Sequence, residues 1–221
     1  MRLISLVSIA LLISQPAFSE PTPIDVYDEN IGFDVVRNGE LVGKHVTTFS
    51  REKSSVIVES QMNMNITFMM IPVYSFDYRS IERWSDGRLS HLDVTVKDGT
   101  DHIKISSIPT STGLTITTPS GTYSFDSPII STNHWNADVV RQSRVLNTLT
   151  GNINQVKIRK RGEERIPVKG SSILATRYDY FGELTNTSVW YDAKGRWSKL
   201  EFIARDGSTV EYICNTCESE P

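Results

Sequence analysis

The sequence predicts an all-β fold, an antiparallel meander curled into a barrel or half barrel, and three observations carry that prediction. The phrase GRLSHLDVTVKDG, Gly87 to Gly99, returns as GRWSKLEFIARDG, Gly195 to Gly207, with the same length, start and finish. Inside both copies apolar residues alternate with polar ones: Leu92, Val94 and Val96 in the first, Leu200, Phe202 and Ala204 in the second. A period of two is that of a half-buried strand. The pairs Asp86-Gly87, Asp98-Gly99 and Asp206-Gly207 are strong short-range signals for antiparallel hairpins.

The elements follow in order. Phe33 to Val36 and Leu41 to Phe49 flank Asn38-Gly39, a hairpin signal of the same kind. A tryptophan, Trp84 or Trp190, precedes each repeated phrase in a strand that feeds its turn. Gly113, Ser120-Gly121, Arg161-Gly162 and Gly182 punctuate further short runs rich in Val, Ile, Thr, Tyr and Phe. Curling or closing such a series leaves few bare edges. Trp197 and Ile203 depart from the alternation. One segment breaks the pattern: residues 136–147 open on Asn136, carry Asp138 early and Arg141 and Arg144 later, and place Val139, Val140 and Leu146 as apolar positions. Capping and charge order predict one short helix there, plugging or crossing a mouth of the sheet.

The ends point to a compartment. Residues 1–19 combine a basic start, an apolar run from Leu3 to Ile13 and the small-x-small Ala17-Phe18-Ser19, the pattern of a secretory signal peptide. The expected mature chain, residues 20–221, is a single domain, periplasmic or secreted, and holds no run of the roughly 20 apolar residues a membrane span requires. Net charge is −3, without the basic excess of a nucleic-acid binder. The only cysteines, Cys214 and Cys217, lie in CNTC; an oxidising compartment and a turn at Asn215-Thr216 favour a structural disulfide over free thiols.

Landmarks NGELVG, HWN, LNTLTG and above all WYDAKGRWSKLEFIARDGSTVEY resemble an exported bacterial family known only as a domain of unknown function. The resemblance spans nearly the whole mature chain and implies secretion in Gram-negative bacteria, a β-rich domain and no assigned activity. A more distant similarity is to half-barrel periplasmic carriers of lipids or lipoproteins, an analogy of fold.

The candidate site residues are those of MNMNITFMMIPVYSFDY. Alternation places Met62, Met64, Ile66, Phe68 and Met70 on one face of a strand, and Tyr74, Phe76 and Tyr78 on one face of the next. Methionine adapts to varied apolar partners, so a curved sheet lined this way can hold an acyl chain or simply form a core. His134-Trp135 sits where regular strands stop, as a ligand contact or as a packed helix start. Ser50-Arg51-Glu52-Lys53 matches S-x-x-K but falls in a turn and lacks companion motifs. Lys157, Arg159, Lys160, Arg161 and Arg165 cluster around Gly162 together with Glu163 and Glu164, as charges that guard an exposed edge do. No metal-ligand spacing or cofactor fingerprint is present, and none is expected. The expected function is non-catalytic binding of an apolar or amphipathic, lipid-like envelope molecule. The alternatives are a hydrolase or isomerase using His134, and an adaptor that pairs a sheet edge with an envelope protein.

Overall fold

Hairpin chemistry is sufficient to build the architecture. The structure, a computed structural model, describes residues 23–27 and 30–217, apart from the side chains of Phe68 and Pro72. Residues 1–19, read above as a secretory leader, lie outside the described residues.

Among the described residues there are fourteen strands in one antiparallel sheet. They are β1 (Ile31–Arg37), β2 (Glu40–Glu52), β3 (Ser55–Phe68), β4 (Ile71–Ser85), β5 (Arg88–Asp98), β6 (Asp101–Pro109), β7 (Leu114–Thr118), β8 (Gly121–Phe125), β9 (Arg144–Leu146), β10 (Ile153–Val168), β11 (Ser171–Gly182), β12 (Thr187–Tyr191), β13 (Trp197–Ile203) and β14 (Thr209–Cys214). Each pairs with its sequence neighbour except at two places. β1 pairs with β14, joining the two halves of the meander, and β8 is left at one edge with β9 at the other. The sheet therefore curls without closing. Hairpin turns alternate between two ends, here called upper (turns at 38–39, 69–70, 99–100 and 204–208) and lower (53–54, 86–87 and 192–196).

Both repeated phrases are strands of this one sheet, β5 and β13, and Trp84 and Trp190 sit in their antiparallel partners β4 and β12. Leu92, Val94 and Leu200 are buried in the common interior, and Phe202 packs against it. A bulge at Trp190/Tyr191 resets the alternation and turns Trp197 inward. Ile203 stays exposed because alternation puts it on the outer face with Glu201, opposite Thr209. The interior consists of cross-strand rows, for example Phe33, His45, Met62, Tyr78 and Val96 on β1 to β5.

The expected helix is shorter and tighter than its pattern suggests. Asn136 does cap it, accepting from the Asp138 N–H, but a 3-10 turn spans only Ala137–Arg141. Gln142 is already extended, and Arg144–Leu146 is strand β9, drawn out by pairing with β10. Tertiary pairing has overridden a weak local preference. Of Ser50-Arg51-Glu52-Lys53, expected in a turn, the first three residues are the end of β2, extended by pairing with β3, and only Lys53 is in the β2–β3 turn. Cys214 and Cys217 form a disulfide across Asn215-Thr216, with Cα atoms 5.5 Å apart. The bridged turn is tied to β1: Asn215 N–H donates to Gly32 O, and Gly32 N–H to Thr216 Oγ1.

Candidate functional site

Between β8 and β9 the chain leaves the sheet and passes through its interior. Ile129, Ile130, Ser131, Asn133, His134, Trp135 and Asn136 of this crossing segment are all buried. A backbone without a sheet partner must find others inside, and this one does. Thr132 N–H donates to Leu146 O, Leu146 N–H donates to Ile130 O, Tyr191 OH donates to His134 O, and Tyr27 OH donates to Trp135 O.

The anchor is Glu82 on β4, fully buried. One carboxylate oxygen accepts from Ser131 Oγ at 2.6 Å and Asn133 Nδ2 at 2.8 Å; the other accepts from Trp84 Nε1 at 2.9 Å and Trp135 Nε1 at 3.0 Å. Four donors on two oxygens make a satisfied acceptor, which a carboxylate inside a protein requires. Tyr78 adds a second tether, donating to Asn133 Oδ1 at 2.6 Å, and Asn133 Nδ2 also donates to Ser80 Oγ. At the lower end, Trp135 meets Trp84 and Phe49 edge-on, and Phe49 stacks on Tyr27. The crossing segment and the 3-10 turn Pro23–Val26 thus stopper that end.

Around Trp197 lies a different arrangement. The rings of His45 and His134 have centroids 5.3 and 5.7 Å from that of Trp197, and Tyr180 stacks on His134. His134 Nδ1 faces the Thr132 carbonyl, which can only accept, so the proton is on Nδ1 and Nε2 offers a lone pair. Among the described residues, His134 Nε2, His45 Nδ1 and Tyr180 OH are buried without a hydrogen-bond partner. Burial holds both imidazoles neutral, lowering each to about 3, with a smaller contribution to His45 from repulsion by His134. The Tyr180 phenol is pushed well up by burial. A partnerless hydroxyl contributes only its desolvation cost. Tyr180→Phe is therefore expected to leave the melting temperature unchanged or raise it, a direct thermal-melting measurement.

The predicted site residues divide into three groups. Met62, Met64, Phe76 and Tyr78 line the inner face and are packed core, with Tyr212 OH at 2.7 Å from Met62 Sδ. Ile66 and Tyr74, a cross-strand pair nearer the upper end, are only partly buried. Met70 is a correction. It does not share the inner face of β3 but occupies the β3–β4 turn with Met69, and is 95% exposed. Phe68 ends β3 opposite Ile71. His134 and Trp135 come together with Glu82, Trp197 and Tyr180 in the interior. Glu82, His45 and Tyr180 were missed, although Glu82 stands in phase with Phe76, Tyr78 and Ser80 in the sequence. The basic cluster runs along β10, where Arg161 pairs with Asp179 and Glu164 accepts from Trp190 Nε1.

Among the described residues, no helix is long and apolar enough to cross a membrane. No curated protein matches the chain. A solved structure that does is similar in fold alone: a beta-barrel-like protein of domain of unknown function DUF1849 from Brucella abortus, 8% identical, covering 86% of this chain and 98% of that one, with a TM-score of 0.56. The family model that matches residues 33–215 is that of a domain of unknown function, DUF6134, and the chain belongs to that family.

Proposed function

We propose that this protein is an exported, non-catalytic binder of an apolar or amphipathic, lipid-like molecule, taken at the upper mouth of the curled sheet. The observation that supports it is a gradient along the inner face. Met62, Tyr78, Val96 and Tyr212 are buried, whereas Ile66, Tyr74, Ile103 and Phe202, inner-face positions towards the upper end, are only partly buried, with Val210 beside Phe202 the buried exception. Partly exposed apolar side chains above a packed floor are the kind of lining such sites use. Met62, Met64, Phe76 and Tyr78 then serve as its floor, and His134 and Trp135 hold the crossing segment below it.

A hydrolase built on His134 is disfavoured by the same geometry. An imidazole held neutral down to about pH 3 is a poor base at neutral pH, and its Nδ1 is oriented by a carbonyl where acyl-transfer triads use a carboxylate.

Native mass spectrometry of protein purified without detergent is expected to show a bound mass that organic solvent extracts. Phe202→Ser should remove that mass at a modest cost in melting temperature, because the side chain is partly exposed. Met64→Ser, in the packed floor, should instead destabilise by about 2–5 kcal/mol. A parent protein that never carries or takes up an apolar molecule would sink the proposal.

A further inference from the structure

The β3–β4 hairpin outgrows its neighbours. β2 pairs with β3 only as far as Gly43↔Met64, and β5 with β4 only as far as Phe76↔Asp98, with one more bond from Gly99 N–H to Ser75 O. Beyond these the hairpin continues alone, pairing Asn65↔Ser75, Ile66↔Tyr74, Thr67↔Pro72 and Phe68↔Ile71. Four residues of β3, Asn65 to Phe68, carry its tip about 13 Å further.

The chemistry of this finger is unusual for an exposed turn. No charged residue occurs from Met64 to Phe76. Met69 is 80% exposed, Met70 95%, Ile71 64% and Val73 58%. Met69 and Met70 both adopt left-handed backbone, with φ of +49° and +66°, the conformation of a tight hairpin turn that Asn-Gly takes without strain. Two long apolar side chains stand where turn stability alone would place neither.

We propose that this finger is a membrane-contact element whose tip inserts shallowly into a lipid surface. Met69 and Met70 stand in the turn itself, and Ile71 and Val73 along the strand that leaves it, so exposed apolar side chains occupy both the tip and its flank. A protein groove needs one apolar face, whereas lipid rewards apolar surface on every side. The depth is limited by the backbone. The finger has two unpaired edges, and hydrocarbon cannot satisfy their N–H and C=O groups, so only the tip enters while the strands remain at headgroup level. Tyr74, its hydroxyl on Asp98, stands at the base of the finger, in the amphipathic setting that interfacial aromatics favour. Leu41 and Ile203 are also exposed at the upper end. That end carries Asp98, Asp101 and Asp206 along with Arg37, Lys44 and Arg205, with no basic excess to select anionic lipid.

The contact stands independently of what the upper mouth holds. The test is flotation of the full chain with vesicles of neutral phosphatidylcholine, compared with vesicles containing phosphatidylglycerol. The wild type is expected to float with both. Met69→Asn/Met70→Gly keeps the turn and removes the apolar side chains, so it should melt no lower than wild type and lose vesicle partitioning by about tenfold or more. Phe202→Ser, which addresses the mouth, should float like wild type. Failure of the wild type to float, dependence on phosphatidylglycerol, or undiminished flotation of the Asn-Gly variant would each overturn the proposal. So would loss of self-association, without any vesicle binding, in that variant, which would reassign the tip to a protein contact.

Discussion

Glu82→Ala is expected to lower stability by about 4 kcal/mol, since each of four buried donors left unpaired costs about 1 kcal/mol or more. The donors are Ser131 Oγ, Asn133 Nδ2, Trp84 Nε1 and Trp135 Nε1. Three of them belong to the crossing segment, so the loss should be concentrated there. Hydrogen exchange should show residues 129–136 opening while β1, β13 and β14 remain protected. Glu82→Gln separates charge from geometry. Its amide preserves the shape but replaces one oxygen with an NH2 that faces two donors, so it should fall between wild type and Glu82→Ala. Urea unfolding of the three proteins measures the order. A Glu82→Gln protein as stable as wild type would mean that shape alone holds the segment.

Legibility differs between the sheet and its contents for physical reasons. The β1–β2, β4–β5 and β5–β6 turns were readable because Asn38-Gly39, Asp86-Gly87 and Asp98-Gly99 carry their own backbone preference. The β3–β4 turn was not, because Met69-Met70 has none, and alternation was extended through it to Met70. Face assignment was readable wherever one side of a strand is apolar, as in β5. Glu82 and His45 stand in phase with inward residues, but pattern alone does not show which partners the interior will supply. Those partners come from the crossing segment, far away in sequence, as the bonds of Glu82 to Ser131 and Asn133 show. A capping signal was legible at Asn136, whereas the end of its 3-10 turn was set by β9 pairing with β10, a contact that local propensity does not contain.

Acid should unfold this protein sooner than its carboxylates require. His45 and His134 are held neutral in the folded state, each lowered from 6.5 to about 3, chiefly by burial. Well above pH 6.5 folded and unfolded chains bind the same number of protons at these sites, and neither histidine affects the pH dependence. Below it the unfolded chain takes up protons that the folded chain refuses, so stability falls with pH down to about 3. Each group contributes at most about 1 kcal/mol per pH unit, so two together remove a few kcal/mol by pH 5. Carboxylates held low by partners, Asp179 beside Arg177 and Asp206 beside Ser208 and Arg37, act in a lower window, once pH nears the unfolded carboxylate range of about 4. The interval from 6.5 to 4.5 therefore isolates the imidazoles. His134→Phe retains an aromatic ring beside Tyr180 and Trp197 and cannot titrate, so it should halve the slope over that interval. Urea midpoints at half-unit steps of pH measure it. A wild-type stability flat between pH 6.5 and 4.5 would show that both imidazoles accept a proton in the folded state, and hence that the interior around Trp197 admits water or a counter-charge.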